Sequence, residues 1–499
     1  MELKQVEGKG KWMALTAALL GWLFDGLEMG LFPLTARNAL LDLGVPPNDY
    51  VLWLGIITAF FLVGAATGGV LFGWLGDRIG RVRAMILSVL TYAIFSGLCG
   101  FVTSPWQIGV LRFIGALGMG GEWSLGVALI NEIWPGKSRA FLAGLIGAAA
   151  NVGYLVIALV GRLVVENIQG VRESLLSLSI PPDLVNYLVN SENKGWRLLM
   201  VIGAAPALLT LFIRIWVPES ERWESERERG ATSHWASRDL LAVLVGALGA
   251  CGIIGLWSFP LPFVVRLPGT ILGLVVVFSG YLFPVMQYLQ RSDQTDFRGV
   301  LRHGALRRMV LAACLSGVAL LGTWGTVQQA PPWSGSLPEA PATASSQVQI
   351  WSASGAILGS VLAALVADFL GRRITYSLLC LGSLVIIPTM FLGSDTFDSR
   401  FLFIVFLAGA ITAAFYGWLP LYLPELFPTR IRATGQGFGF NFGRVIAAIG
   451  VLQLGNLKLL LEPFGWRDAH VYSVLAGIYL IGMAIIWLAP ETRGRALPD

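Results

Sequence analysis

Long apolar runs separated by short polar gaps fill this chain from end to end. A helix needs about 20 mostly apolar residues to cross the hydrocarbon of a bilayer. Runs of that kind lie at 12–36, 51–75, 84–103, 107–131, 140–163 and 197–217. Two more fall at 239–259 and 268–290, and six follow at 308–329, 349–368, 374–393, 401–424, 433–457 and 470–489. The pattern predicts an all-α polytopic membrane protein with fourteen transmembrane helices. The first run begins after Lys11 and carries Asp25 and Glu28. It is too long for the apolar stretch of a cleavable signal, so it counts as a span.

Composition agrees with this reading. Of 499 residues, 55% are hydrophobic and 13% charged, where an ordinary soluble chain is about 25% charged. These proportions exclude a string of soluble domains, a disordered chain, a coiled coil and a disulfide-stapled secreted domain. The net charge of +5 would suit nucleic acid, but the Lys and Arg residues sit mainly in the gaps between apolar runs. Arg78, Arg81 and Arg83 follow the second run, Arg372 and Arg373 the tenth, and Arg493 and Arg495 the last, whereas 330–348 has neither Lys nor Arg. By the positive-inside rule both termini are expected in the cytoplasm of a multi-pass cell-membrane protein, the inner membrane if the source is a bacterium. No nucleic-acid partner is expected. His234, His303 and His470 are far apart, and the four cysteines lie in separate runs. No metal site, cofactor or enzyme activity is therefore expected, and the absence of GxxxxGK[ST] removes the usual ATP-driven pump.

The chain also repeats itself. GWLGDRIGRVR around Asp77 returns as ALVADFLGRRI around Asp368, 291 residues later, and the E-x-x-P-x-x-x-R that starts at Glu132 returns at Glu425, 293 residues later. Trp196-Arg197 opens a span closed by Pro218-Glu219-Ser220, just as Trp466-Arg467 opens one closed by Pro490-Glu491-Thr492. Three matched pairs in one order predict two homologous six-helix halves, 1–217 and 308–499. The connection between them, 218–307, carries the two accessory spans. Parallel repeats of this kind are a transporter architecture with the substrate site near the midplane, between the halves.

With these motifs the chain resembles the transporters of the major facilitator superfamily over essentially its whole length. Gly73, Asp77, Arg78, Gly80 and Arg81 match the superfamily's G-x-x-x-D-R-x-G-R, with Val82 in place of a second basic residue. The later copy keeps Asp368, Gly371, Arg372 and Arg373, with Ala364 and Phe369 as departures. PESERW at 218–223 and PETRG at 490–494 resemble the half-ending signatures of sugar porters and metabolite–proton symporters. DGLE at 25–28 and GMGGEW at 118–123 resemble segments of aromatic-acid symporters and bacterial sialic-acid transporters. FNFGR at 440–444 resembles the eleventh helix of aromatic-acid and nicotinate carriers, while two added central helices are a feature of the sialic-acid transporters. The resemblance implies a monomeric secondary transporter that takes up a small organic acid, sialic acid-like or aromatic, with protons, by alternating access. A neutral-sugar or other metabolite symporter with Arg444 in a structural role, and a non-transporting membrane receptor of the same fold, fit the same motifs.

A charged side chain in mid-bilayer costs about 2.5–3.5 kcal/mol on insertion scales and is a functional candidate by default. Asp25, Glu28, Arg112, Glu122 and Arg444 qualify. A proton symporter needs a carboxylate whose charge is tuned by burial and a nearby cation. Sugar porters that resemble this chain pair a first-helix carboxylate with a fourth-helix Arg, which would map to Glu28 or Asp25 with Arg112. A purely structural staple fits those residues too, and Glu122 suits either coupling or helix packing. Arg444 offers a planar fork for a carboxylate beside the small residues Gly439, Gly443, Ala447 and Ala448, although a permanent internal salt bridge would also hold it. Trp324, Tyr416, Gln328 and Asn441 are candidates to line the cavity. Glu132, Arg139, Glu425 and Arg432 are expected to join the Asp77 and Asp368 motifs in gating pairs of the weak exposed kind, about 0–1 kcal/mol each. Simple turn chemistry would explain the same charges.

Overall fold

A computed structural model describes residues 8–133, 139–190, 192–208, 237–259, 261–293, 304–428, 432–495 and 498. Several side chains within these helices, among them those of Asp77, Arg81, Glu122, Glu132 and Arg139, lie outside the described residues. The described secondary structure is helical throughout. Before the central connection come α1 (Gly8–Asp42), α2 (Tyr50–Ile79), α3 (Arg81–Leu98), α4 (Pro105–Ile133), α5 (Arg139–Glu166), the short α6 (Ile168–Ser177) and α7 (Pro182–Leu188), and α8 (Trp196–Ile202). The accessory pair is α9 (Ser237–Ser258) and α10 (Phe263–Asp293). The second half comprises α11 (Gly304–Trp324), α12 (Ala330–Ser334), α13 (Ala344–Leu370), α14 (Arg372–Leu392), α15 (Ser399–Thr412), α16 (Phe415–Tyr422), α17 (Arg432–Leu452), α18 (Leu454–Leu461), α19 (Asp468–Leu475) and α20 (Ile478–Ile485).

Eleven helical segments among the described residues are long and apolar enough to cross a membrane. The remaining predicted spans fall on α1, α4 and α8, and the rest of the sixth, to 217, lies outside the described residues. The core is built by helices laid along one another: α2 on α4 and α1 on α5 in the first half, α11 on α17 and α13 on α15 in the second. Such packing in lipid rests on close backbone approach through small residues. A Cβ on Gly26 would collide with the Ala150 carbonyl, and one on Gly153 with the Leu23 carbonyl. Across the two halves α5 lies along α13 and α2 along α17.

The repeat is visible in the backbone. Gly80 ends α2 and precedes α3 with φ 110°, and Gly371 ends α13 and precedes α14 with φ 98°, a region where a Cβ is strongly disfavoured. The Trp-Arg pair, by contrast, is not equivalent in the two halves. Trp196 and Arg197 are buried, and Arg197 donates to Asp42, Tyr187 and the Gly100 and Val102 carbonyls. Trp466 and Arg467 are exposed. The difference follows from α6 and α7, which extend the 164–195 segment and supply Tyr187 as a lid; the second half has the short turn at 462–467 instead.

Two breaks in the second half matter for the site. Regular helix stops between Trp324 and Ala330 and again between Thr412 and Phe415. Unpaired backbone groups are costly in a bilayer and persist only where they are re-bonded or border a cavity. Gln329 Nε2 donates to the Trp324 carbonyl at 2.8 Å, Thr326 Oγ1 to the Gly322 carbonyl, and Ser360 Oγ to the Ala413 carbonyl at 3.1 Å.

Candidate functional site

Between the halves lies a central cavity of about 110 Å³. Both helix breaks open onto it, through Trp324, Val327 and Gln328 at the first and Thr412, Ala413 and Tyr416 at the second. From the first half come Asp25 and Trp22 on α1, Phe61 on α2, and Asn151 and Tyr154 on α5. Five of the sequence-derived candidates, Asp25, Trp324, Gln328, Tyr416 and Arg444, are therefore brought together in one wall.

Arg444 projects from α17 and is 7% exposed. Its Nη1 donates to Asn441 Oδ1 at 3.0 Å and to the Ala65 carbonyl at 3.2 Å, and its guanidinium carbon lies 4.8 Å from the centre of the Phe440 ring. Among the described residues it has no ion-pair partner within 4 Å. Asp25 lines the same cavity and acts on Arg444 electrostatically from farther away. Among the described residues the salt bridge considered from sequence is not formed at Arg444. Asn441 has another place than expected: it does not line the cavity but orients Arg444, one turn away on the same helix, and fills the space over Gly69 of α2.

Glu28 and Arg112 form a buried pair between α1 and α4, Oε1 to Nη1 3.3 Å, with both side chains 1% exposed. Arg112 is sandwiched between the Phe32 and Phe61 rings, 5.1 and 4.7 Å from its guanidinium carbon. Among the described residues, Glu28 Oε2 and Arg112 Nε make no hydrogen bond. The pair does not touch the cavity; Phe61, which packs on Trp324 at 5.1 Å between ring centres, stands between them. Glu122 lies on α4, with its side chain outside the described residues.

Sequence reasoning missed the α5 face. Asn151 Nδ2 donates to Ser360 Oγ at 3.3 Å, the Tyr154 hydroxyl donates to Gln328 Oε1 at 2.7 Å, and Gln349 Nε2 donates to the Gly30 and Tyr154 carbonyls at 3.2 and 3.1 Å. All these side-chain bonds cross between the halves. The available signal was polarity without charge: Asn151 and Tyr154 are three apart in an otherwise apolar span, hence on one helix face.

At one end of the bundle three scattered motif fragments converge. Arg372 grips Glu425 with Nε to Oε2 at 3.0 Å and Nη2 to Oε1 at 2.9 Å, and also reaches Asp368 at 3.3 Å. Thr492 Oγ1 donates to Glu425 at 2.6 Å, and the backbone amides of Arg372 and Arg373 donate to Glu491. Burial raises the Glu491 pKa, but these amides together with those of Arg493 and Thr492 outweigh it and hold the carboxyl below its usual range. Arg373 donates instead to the Ala489 carbonyl, and Arg432 to those of Pro424, Phe427 and Pro498. The expectation of weak exposed pairs is corrected here. Arg372 and Glu425 are each 3% exposed, beside the buried Trp418, whose indole donates to the Arg372 carbonyl and whose ring packs on the buried Tyr422. In the first copy Arg78 is exposed and lies over Trp74, 4.4 Å away, with open space beside Gly73. The side chains of Asp77, Arg81, Glu132 and Arg139 lie outside the described residues.

Comparison with known proteins agrees with this architecture. A family model described as sugar (and other) transporter matches residues 14–239 and 339–499, leaving out the accessory helices. The chain is 27% identical to a putative metabolite transport protein of Haemophilus influenzae over 97% of this chain and 98% of that one. It is 25% identical to the cis,cis-muconate transport protein of Acinetobacter baylyi, over 90% and 88%. Among solved structures, the proton:xylose symporter XylE of E. coli, of the major facilitator superfamily, superposes with a TM-score of 0.65 at 18% identity, covering 99% of this chain and 98% of XylE. The family match, which spans most of the chain, places it in the sugar (and other) transporter family, and its paired halves with a cavity at their seam have the fold of the major facilitator structure XylE.

Proposed function

We propose that this protein moves a small organic carboxylate across the cell membrane together with protons, by alternating access of the central cavity. The observation that carries the reading is Arg444: a guanidinium in the wall of that cavity, nearly buried, with a neutral amide and a carbonyl as its bonded partners. Burying a cation without an opposite charge is expensive, and a carboxylate in the cavity would offset that cost through two charge-assisted hydrogen bonds. The similarity to a muconate transport protein supports a small unsaturated carboxylate ahead of a sialic acid.

Proton coupling follows from competition for one cation. With the cavity empty, Arg444 favours ionised Asp25; a bound carboxylate takes over that attraction, and Asp25 then gains a proton. Release of the substrate on the other side reverses the exchange. Glu28 and Arg112, one aromatic layer away, form a second acid–base pair whose separation would carry another proton. In this reading the chain spans the membrane fourteen times as a monomer, with 1–217 and 308–499 as the moving halves, 218–307 as an accessory connection and both termini in the cytoplasm. The buried Arg372–Glu425 network holds one half rigid at that face, and the first-half motif is the gate.

The test is uptake of labelled cis,cis-muconate by liposomes carrying the purified chain, with and without an inward proton gradient, with N-acetylneuraminate and xylose as competitors. Gradient-driven accumulation that disappears in Arg444→Ala is the expected result. Accumulation that survives Arg444→Ala, or competition by xylose alone, would overturn carboxylate recognition in favour of a neutral substrate.

A further inference from the structure

A second cavity, of about 250 Å³, lies at the end of the bundle opposite the Arg372–Glu425 network. It too sits on the seam between the halves. Arg37 and Asn38 of α1 and Lys194, just ahead of α8, face it from the first half; Ala342 and Ser345 face it from the second. Arg37 and Lys194 are both half-buried, and among the described residues neither makes a hydrogen bond or an ion pair. The acid at the end of α1, Asp42, is already taken by Arg197 at 2.9 Å and by Trp196 Nε1 at 3.1 Å. The second-half segment that closes the cavity contains no Lys or Arg, and its one acid, Glu339, is exposed and not part of the lining.

We propose that this cavity is a binding site for a small anion, a vestibule that a carboxylate occupies on the far side of the closed end from the central site. Two cations held in one concave, partly dehydrated space focus a positive potential and raise the local concentration of anions. The walls come from both halves, so parting them dismantles the site, and an anion held there stays only while that end is closed. The anion preference rests on Arg37 and Lys194 alone; the choice of a carboxylate as the anion rests on the reading of the central site given above.

The experiment places a cysteine in the rim, Ala342→Cys, on an exposed loop residue, in the full chain reconstituted in phosphatidylcholine nanodiscs. The parent chain gives the background from its native cysteines, two buried and two partly buried. Modification by an anionic methanethiosulfonate is expected to outpace its trimethylammonium analogue by about tenfold relative to a free thiol, as field focusing by two cations predicts. That preference is expected to vanish in Arg37→Gln/Lys194→Gln. Millimolar cis,cis-muconate, benzoate or inorganic phosphate should protect the cysteine in the first background and not in the second. Slower modification when phosphatidylglycerol is added, without any soluble anion, would support the site and assign its ligand to a lipid phosphate. Equal rates for the two reagents, a preference that persists in the double variant, or no protection by any of these anions would each overturn the proposal. The labelling does not depend on turnover, so it tests the vestibule even if muconate uptake fails. Conversely, Arg444→Ala is expected to stop uptake without changing the labelling.

Discussion

The Tyr154 hydroxyl donates to Gln328 Oε1 at 2.7 Å, joining α5 of the first half to the broken helix of the second across the wall of the central cavity. The bond uses the one stretch of the α11–α12 segment where the helix has been given up, so the acceptor is held by a backbone that can change shape without breaking a helix. It must part whenever this side of the cavity opens. Tyr154→Phe removes one hydrogen bond from the closed arrangement, about 0.5–1.5 kcal/mol. The closed population is therefore expected to fall by roughly two- to tenfold relative to the open one. Spin labels placed on α2 and α18 at that end would report it as a shift in the distance distribution. Unchanged distributions would mean that the bond is incidental to closure.

The Arg372–Glu425 pair carries a prediction for the first copy of the motif. Asp77 and Asp368 are 291 apart and Glu132 and Glu425 293 apart, so Arg81 corresponds to Arg372 and Glu132 to Glu425. Arg81 and Glu132 are therefore the sequence counterparts of that pair. Arg81→Glu and Glu132→Arg should each depress transport strongly, and the double swap should restore a measurable part of it. In the second half, Glu425→Ala leaves Arg372 buried without its partner and should destabilise the protein by about 3–5 kcal/mol, seen as a large drop in the thermal midpoint.

In the proposed mechanism, coupling through Asp25 would fix the electrical signature of transport. A monocarboxylate carried with one proton moves no net charge, so its accumulation should follow the pH gradient and ignore an imposed potential. A charge moved through 100 mV would contribute about 2.3 kcal/mol, easily seen as potassium-diffusion-driven uptake. A dicarboxylate such as muconate needs two protons for the same neutrality, one on Asp25 and one on Glu28. Glu28→Gln is then expected to make dicarboxylate uptake sensitive to potential while leaving monocarboxylate uptake insensitive. Equal potential dependence in parent and variant would remove Glu28 from the proton path.

Glu491 gives the sign of one acid-stability effect. Its carboxyl lies below its usual range in the folded protein because backbone amides of Arg372, Arg373, Thr492 and Arg493 hold the ionised form more than burial opposes it. A lowered folded pKa contributes stability that is fully present above the unfolded value and is lost as pH falls through the folded one. The detergent-solubilised protein should lose thermal stability on acidification through and below the ordinary glutamate range. Glu491→Gln should flatten that dependence and lower the midpoint at neutral pH. A parallel downward slope in the variant would place the acid sensitivity elsewhere.

The family relationship was legible in the sequence because its motifs are local. Gly371 needs its positive φ whatever surrounds it, and a Gly at the same point of a repeated motif announces the same turn. The charged candidates were legible because charge in a long apolar run is conspicuous. Asn151, Tyr154 and Gln349 were not: an uncharged polar side chain in a span costs little enough to look like packing, and only its partner on another helix gives it meaning. Asn441 shows the reverse error. It looked like a cavity residue by its place beside Arg444, but its register on α17 turns it toward Gly69.

Length and hydrophobic period alone determined a helical membrane protein, because the bilayer demands about 20 apolar residues per span, and the repeated motifs led to the expectation of two related halves, because duplication preserves order. The tertiary structure decided what each charge lies against. It put Arg444 into a cavity without an ion pair among the described residues, paired Arg112 with Glu28 rather than Asp25, buried Arg372 with Glu425, and left Arg467 exposed where Arg197 is enclosed. The cost of a buried charge depends on what lies within a few ångströms of it, and in this fold those neighbours come from helices hundreds of residues away in sequence.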